Sequence, residues 1–468
     1  MSNEKALNRK PLIHVSRRNI VPVKTVIIIK AISIASALLM CGIISSFFSP
    51  GSFFSFYQYL IEGTFFSLNT TLATLWSAAI LLLIAVAITP AFKMKFWNIG
   101  AEGQVLMGGF GAAIIMKFIA PDLPNAVALL IMLAMAILFA AVWALIPSIF
   151  KAFFNTNETL FTLMMNYIAM GFVAAFSLKF KATGNTALGI LNASTHAGWI
   201  PEVFDFKYII NIAVIAILVF SVWFYLKYSK HGYEIAVLNG STRTAEYVGI
   251  NVKLVTMRTM ILCGVLCGVA GWLIVAGASH TVSDSIVGGR GFTAVMISWL
   301  GHFNPLAMIL YSLLNAVITT GSSNAAANLG YSGEVASVLS GIFFLVILTS
   351  EFFVNFKVRL NLHKKEEPKA EEPKEEKPVE EKAVSESDYF NYSHRFSLIL
   401  CIVPFTSWVF GFLTRFKQGY WVRGIIRVIL GFSVIWVIDL VCMIKRGCIF
   451  NFDFNERQRI NENPEGGK

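Results

Sequence analysis

Charged side chains are scarce in this chain of 468 residues. Asp, Glu, Lys and Arg together make up 14% of it, whereas 56% of its residues are hydrophobic. A single water-soluble domain of this size does not build a core that hides so many apolar side chains. The composition therefore excludes an ordinary soluble globular protein and predicts that a lipid bilayer forms part of its surroundings.

Sites for nucleotide chemistry and for metals are also missing. No G-x-x-x-x-G-K-[ST] loop occurs, so the chain lacks the usual cradle for ATP phosphates. The six cysteines lie within or beside apolar segments and have neither a disulfide framework nor a metal-binding spacing. We therefore expect no catalytic residue, metal or cofactor on this chain.

Apolar runs of roughly 18 or more residues, long enough to cross about 30 Å of hydrocarbon as a helix, recur along the sequence. Eight are clear: 26–48, 68–88, 99–120, 126–150, 160–180, 209–228, 255–278 and 335–356. Two weaker stretches, 291–302 and 305–320, are divided by a polar GHFNP break and form either two short helices or one broken helix. The sequence thus predicts an all-α polytopic membrane protein with a core of about ten helices.

The positions of the basic residues predict the orientation of this core. For a cytoplasmic N-terminus and ten crossings, eighteen Lys and Arg residues flank the inner side and five the outer side. The inner set is Lys5, Arg9, Lys10, Arg17, Arg18, Lys24, Lys93, Lys95, Lys151, Lys227, Lys230, Arg243, Lys253, Arg258, Lys357, Arg359, Lys364 and Lys365, and the outer set is Lys117, Lys179, Lys181, Lys207 and Arg290. Because positive loops stay inside, we expect a multi-pass protein of the cytoplasmic (inner) membrane, in contact with lipid. The net charge of +11 then needs no nucleic acid partner.

An abrupt change of composition divides the chain. Residues 364–388 are almost entirely Lys, Glu and Pro and hold ten of the twenty-seven acidic residues, which predicts a disordered linker. Residues 1–363 then form a transmembrane domain and residues 389–468 a second unit. The second unit has two apolar runs around a basic turn, and it resembles a small family of two-span membrane domains with an Arg-Phe-x-x-Gly-type turn. We expect a helical hairpin module, and the sequence leaves its orientation in the membrane undecided.

Three stretches stand out from ordinary membrane helix. The first, NIGAEGQ at 98–104, places Asn98, Glu102 and Gln104 among glycines, and polar side chains at membrane depth are costly enough to imply a use. In the second, 155–167, Glu158 is a favourable charge in the first turn of a helix, but the sequence gives no hydrogen-bond partner for Asn166. The third is GGRGFTAV at 288–295. The polar residues either line a path or hold helices together.

The longest inner segment, 229–254, predicts a further element. Its residues 232–250 have the pattern of two short helices joined at a turn, with Ser241 or Thr242 as the cap of the second helix and Gly249 as its end.

Together these stretches closely resemble the membrane subunits of bacterial ABC importers for nucleosides, a family akin to ribose and branched-chain amino acid permeases. The resemblance rests on NIGAEGQ at 98–104, on the run that follows Asn157, on RTAEYVGI at 243–250 and on GFT at 291–293 before NPL at 304–306. The turn at 238–241, LNGS, departs from the Val-Gly-x-Asn-Pro-type turn of the family, and residues 389–468 are absent from ordinary members.

The resemblance implies a permease subunit that is the longer of two paralogues in a heterodimer. A separate ATPase binds the ATP and a substrate-binding lipoprotein delivers the substrate. The inner segment would couple to the ATPase through Gly232, Glu234, Arg243, Glu246, Tyr247 and Gly249. The resemblance and the residues leave two alternatives open: import of ribose, other sugars or branched-chain amino acids, and an ion-coupled transporter in which Glu102 carries a proton. Amides such as Asn98, Gln104 and Asn166, with Glu102, are the candidates for the substrate path.

Overall fold

The computed structural model describes residues 13–18, 21–181, 188–203 and 206–360. The predicted linker 364–388 and the predicted hairpin module 389–468 lie outside the described residues. The described part is helical apart from two short strands. Its elements are β1 (Ile13–Arg17), α1 (Val23–Phe48), α2 (Phe53–Phe65), α3 (Leu68–Lys93), α4 (Ala101–Phe118), α5 (Asn125–Phe154), α6 (Glu158–Phe180), α7 (Ile209–Tyr228), α8 (Lys230–Gly240), α9 (Thr242–Tyr247), α10 (Val252–Ile274), α11 (Arg290–Leu300), α12 (Pro305–Leu329), α13 (Gly333–Asn355) and β2 (Phe356–Leu360).

Eight helices of the described ranges are long and apolar enough to cross a membrane. They are α1, α3, α5, α6, α7, α10 with the π-helical turn that follows it, α12 and α13. The prediction of an all-α polytopic membrane protein is confirmed. The predicted span 99–120 corresponds to α4, which has 18 residues and is buried along most of its length among the other helices.

The weak pair 291–320 forms two helices of unequal length. The first, α11, has 11 residues, and the second, α12, has 25 and continues to Leu329. The apolar run ends earlier, at 320, because Ser and Asn are frequent in the last turns of α12. Those turns are helical nevertheless, and the helix ends where Gly330 adopts a left-handed conformation with φ of 76°.

The two strands bring the ends of the helical core together. β1 and β2 pair antiparallel, with Ile13 opposite Leu360 and Arg17 opposite Phe356. The chain therefore enters and leaves the bundle at one end, hereafter the strand end. An even number of crossings follows for a core that spans a membrane.

Close backbone contacts hold α4 in the centre of the bundle. A Cβ added at Gly108 of α4 would lie 2.7 Å from the Cα of Gly268 on α10, and one at Gly111 would lie 2.7 Å from the carbonyl oxygen of Met135 on α5. Glycine at these positions lets three helices approach more closely than larger residues allow, as is common in membrane bundles. α4 is thereby fixed between α5 and α10.

The helix α11 crosses only part of the bundle. It begins at Arg290, beside the first turn of α4, and its C-terminal connection lies at the strand end, where His302 contacts Glu351 of α13 at 3.2 Å. Eleven residues span about 16 Å, roughly half of a hydrocarbon core. The segment 280–289 covers the other half, from the opposite end of the bundle, where the Leu191 N–H donates to the His280 carbonyl at 2.8 Å. The two pieces together take the place of one broken span.

Candidate functional site

Glu102 joins α4 to the start of α11. Its side chain is 2% exposed, and its two carboxylate oxygens accept hydrogen bonds from the backbone N–H groups of Gly289, at 2.8 Å, and Gly291, at 2.7 Å. A negative charge at a helix N-terminus is favourable, and backbone groups at membrane depth need partners. Glu102 therefore satisfies the free end of the broken span.

The neighbouring Arg290, which the sequence assigns to the outer flank, packs against α3. Its guanidinium lies over the ring of Trp76 on α3, with 5.7 Å between the guanidinium carbon and the ring centroid. The assignment of Arg290 to the outer flank stays a prediction.

The amides of the first and second polar stretches are engaged with backbone groups. Asn166 of α6 accepts from the Gly103 N–H at 2.8 Å and donates to the Ile99 carbonyl at 3.0 Å. The Asn98 side-chain oxygen accepts from the Gly100 N–H at 3.0 Å and from the Gln104 amide at 3.3 Å. All three amide side chains are buried. Their role in lining a substrate path stays a prediction, since in this conformation their hydrogen bonds hold the start of α4.

The inner segment forms the predicted pair of short helices. Ser229 caps α8 by accepting from the Gly232 N–H at 3.0 Å, and Ser241 caps α9 by accepting from the Thr244 N–H at 3.4 Å. Gly249 follows α9 with φ of 84°, which favours glycine. A Cβ at Gly232 would collide with the Leu226 carbonyl of α7.

The α8–α9 pair lies at the strand end and presents one face outward. Ile235 and Leu238 of α8 pack into a hydrophobic cluster with Phe96, near the end of α3. The opposite face carries most of the predicted coupling residues. Tyr247 is 93% exposed, and Arg243, Glu246 and Gly249 are also exposed, whereas Glu234 is half-buried and Gly232 is buried. An exposed aromatic beside charges is typical of a protein contact surface.

Sequence reasoning missed His231, which fixes α8 to its neighbours. Its Nδ1 lies 3.1 Å from the Tyr225 hydroxyl on α7 and its Nε2 lies 3.0 Å from the Thr259 hydroxyl on α10. The Thr259 hydroxyl donates to the Val255 carbonyl, so His231 Nε2–H donates to Thr259 and Nδ1 accepts from Tyr225. Burial is the main cause that lowers the pKa of His231, which favours this neutral form. A lone histidine in a polar loop gave no signal of this role.

The chain is similar to a known family and to several known proteins. The family model described as branched-chain amino acid transport system / permease component matches residues 70–348. The chain is 27% identical over 362 residues to the nucleoside ABC transporter permease protein NupB of Lactococcus lactis subsp. cremoris (strain MG1363), which covers 74% of this chain and 95% of the relative.

Two further relatives match over shorter lengths. The guanosine ABC transporter permease protein NupP of Bacillus subtilis (strain 168) is 26% identical over 67% of this chain and 90% of its own length. The glucose ABC transporter permease protein TsgB13 of Haloferax volcanii is 24% identical over 61% of this chain and 77% of its own length. No solved structure matches the chain. The matched region contains α4, the α8–α9 pair and α11, and the chain belongs to the permease-component family of the branched-chain amino acid transport systems.

Proposed function

We propose that this chain is a membrane-spanning subunit of an ATP-driven importer that carries nucleosides into the cell across the cytoplasmic membrane. The observation that carries the proposal is the match over nearly the whole length of a nucleoside permease relative, 95% of it. The glucose relative covers less of both chains at lower identity, and it gives the reason to keep sugars in any substrate test.

The energy for transport enters through a partner in this proposal. Within the described residues, the α8–α9 pair is the helical element that stands outside the long helices at the strand end. Five basic residues of the inner set lie within the pair or flank it in the sequence, which supports a cytoplasmic position for the pair and for the N-terminus. They are Lys227, Lys230, Arg243, Lys253 and Arg258. A separate ATPase docks on its exposed face, and ATP binds to that subunit.

Two more partners complete the importer. A second, paralogous permease pairs with this chain, and a substrate-binding lipoprotein delivers the nucleoside from outside. Both follow from the resemblance of the chain to the longer of two permeases in a heterodimer. The chain itself moves between outward-facing and inward-facing states as the ATPases close and open, and it carries out no chemical step.

A test of the docking surface uses Arg243→Glu and Tyr247→Ala. Both residues are exposed, so both variants are expected to insert normally, while nucleoside uptake falls about tenfold or more because an aromatic or Arg anchor is lost. Cysteines at Glu246 and Gly249 should cross-link to the co-expressed ATPase in at least one nucleotide state. A cysteine at Asn69, exposed at the opposite end of the bundle, is the control that should not cross-link. Absence of every cross-link from the α8–α9 pair would contradict the assignment.

A further inference from the structure

The outward side of α12 changes character along the helix. In the half near the strand end its exposed side chains are apolar: Leu306, Ile309, Leu310 and Leu313. In the other half the exposed side chains include Thr319, Ser323 and Asn328. We call Asn315, Thr319, Ser323, Asn324 and Asn328 the polar stripe. Over 18 residues, α12 has the lowest mean hydropathy of the eight long helices, 1.4.

Hydrogen bonds within the helix satisfy only part of the polar stripe. The Thr319 hydroxyl donates to the Asn315 side-chain oxygen at 3.3 Å, and the Ser323 hydroxyl donates to the Thr319 carbonyl at 2.9 Å. Each hydroxyl uses its one proton in this way and keeps lone pairs free to accept. The Asn328 amide donates to Asn324 and leaves its own oxygen free. The exposed members Thr319, Ser323 and Asn328 therefore present neutral acceptors outward. Asn315 is buried, and the half-buried Asn324 donates to the Tyr59 carbonyl of α2 at 2.8 Å.

The depth of the stripe argues against a position in the headgroup region. Thr319 lies ten residues before Leu329, the last residue of α12, which is about 15 Å along the axis. That distance reaches about the middle of a hydrocarbon core of about 30 Å. Exposed polar groups there are unfavourable against lipid, and such residues commonly face a water-filled cavity. On α7, Ile217 and Phe220 are exposed apolar side chains at this depth, with the exposed hydroxyl of Ser221 beside Phe220.

We propose that the polar stripe lines the aqueous path of the importer and accepts hydrogen bonds from the hydroxyl groups of a neutral, polyhydroxylated ligand. This inference rests on the proposed function, and it locates the ligand contacts on α12 instead of on the buried amides of α4 and α6. Weak contacts to several neutral groups suit passage, since a ligand that binds too tightly does not leave.

The first test measures access of water to the stripe. Ser323→Cys is compared with Ser221→Cys, because Ser221 of α7 is likewise exposed and donates to the carbonyl four residues earlier, at 2.7 Å. The probe is a membrane-impermeant methanethiosulfonate applied to the assembled importer, with the parent chain as the background for its native cysteines. Because thiols in hydrocarbon do not ionise, Ser323→Cys should react at least about tenfold faster than Ser221→Cys, and uridine with its binding protein should slow the reaction. The inference would be overturned if both cysteines reacted equally slowly, or if Ser323→Cys formed a disulfide with the second permease instead of reacting with the probe. If Ser323→Cys reacted fast but uridine did not slow the reaction, the proposed contact with the ligand would be overturned.

The second test measures transport. Thr319→Val combined with Ser323→Ala should raise the KM for uridine uptake about fivefold, through two lost acceptors. The control combines Thr349→Val with Ser221→Ala, two exposed hydroxyls on α13 and α7 that also donate within their helices, and should leave KM unchanged. Unchanged kinetics in both would overturn the inference. If the parent chain takes up no nucleoside while Ser323→Cys is still labelled, the proposed function fails and the aqueous path remains.

Discussion

At the scale of single residues, Glu102 has the most demanding surroundings. Each of its carboxylate oxygens accepts a hydrogen bond from a different backbone N–H, and the two N–H groups belong to the start of α11. An amide also forms hydrogen bonds, but it has only one acceptor oxygen. It therefore does not replace the Glu102 carboxylate, which accepts from two N–H groups.

We predict that Glu102→Gln loses much of the activity. Its amide offers one acceptor, and its NH2 group faces a second N–H donor, so one buried donor loses its partner at a cost of about 1–3 kcal/mol. Nucleoside uptake per inserted molecule should fall by about tenfold or more, with Glu102→Ala at least as low. Glu334→Gln, at an exposed position in the first turn of α13, is the control and should be neutral. Full activity of Glu102→Gln would contradict the two-acceptor account.

Polar residues were easier to find in the sequence than to interpret. Asn98, Glu102, Gln104 and Asn166 stood out because such residues are rare in apolar helices, and all four are buried. Their partners are mostly backbone groups, which no sequence pattern specifies, so the choice between lining a path and holding helices together could not be made beforehand.

At the scale of elements, periodicity and caps predicted most of the helices. The α8–α9 pair, its cap at Ser241 and its end at Gly249 were correctly predicted, because capping depends on local chemistry. The short helix α2 and the true end of α12 were missed. α2 is too short for a span, and polar residues in the last turns of α12 end its apolar run before the helix itself ends. Length and apolarity are weak guides where a helix packs inside a membrane protein or faces water.

His231 makes the attachment of α8 dependent on pH. Its pKa in the folded protein is lowered, chiefly by burial, with Arg258 also lowering it and Val255 and Glu234 acting in the opposite direction. The unfolded chain therefore binds more protons, and stability falls as pH drops below the ordinary value of about 6.5. The contribution is fully present above that pH and is lost as pH falls through the folded pKa.

We predict that His231→Ala lowers the free energy of unfolding by about 1–2 kcal/mol at pH 7.5, because two side-chain hydrogen bonds are lost. The difference between parent and variant should shrink between pH 7.5 and pH 5.5, as the parent loses stability that the variant never had. Hydrogen exchange of residues 230–240 in the purified protein reports the change at α8 itself. A difference that grows at low pH would show that the protonated form of His231 is the stabilising one.

At the scale of the whole molecule, the two strands and the positive residues agree on one architecture. β1 and β2 place both ends of the core at one end of the bundle, and the basic residues concentrate in loops that the proposal assigns to the cytoplasm. Seven of the eight long apolar helices were predictable as clear spans, because their hydropathy marks them. The broken span at α11 was left open, because an 11-residue helix and the turns and bends that precede it have no hydropathy pattern of their own.

The predicted hairpin module gives a test of modularity. Residues 364–388 are rich in Lys, Glu and Pro, which predicts a linker without a packed core, so the second unit should be dispensable for transport. Truncation after Lys365 should preserve uptake per inserted molecule to within about twofold, since no span of the core is removed. Quantitative blotting of the inserted protein provides the normalisation. A truncated chain that inserts and binds its ATPase yet transports nothing would contradict the modular reading.

The central claim is that this chain moves nucleosides by the energy of ATP. The most direct measurement is uptake of radiolabelled uridine, guanosine, ribose and leucine by right-side-out vesicles that contain the assembled importer, its binding protein and internal ATP. We predict uptake of the nucleosides, its collapse with vanadate or without ATP, and its survival with an uncoupler. Uptake that survives vanadate and collapses with the uncoupler would indicate ion coupling through a group such as Glu102, and uptake of ribose or leucine without either nucleoside would contradict the substrate assignment.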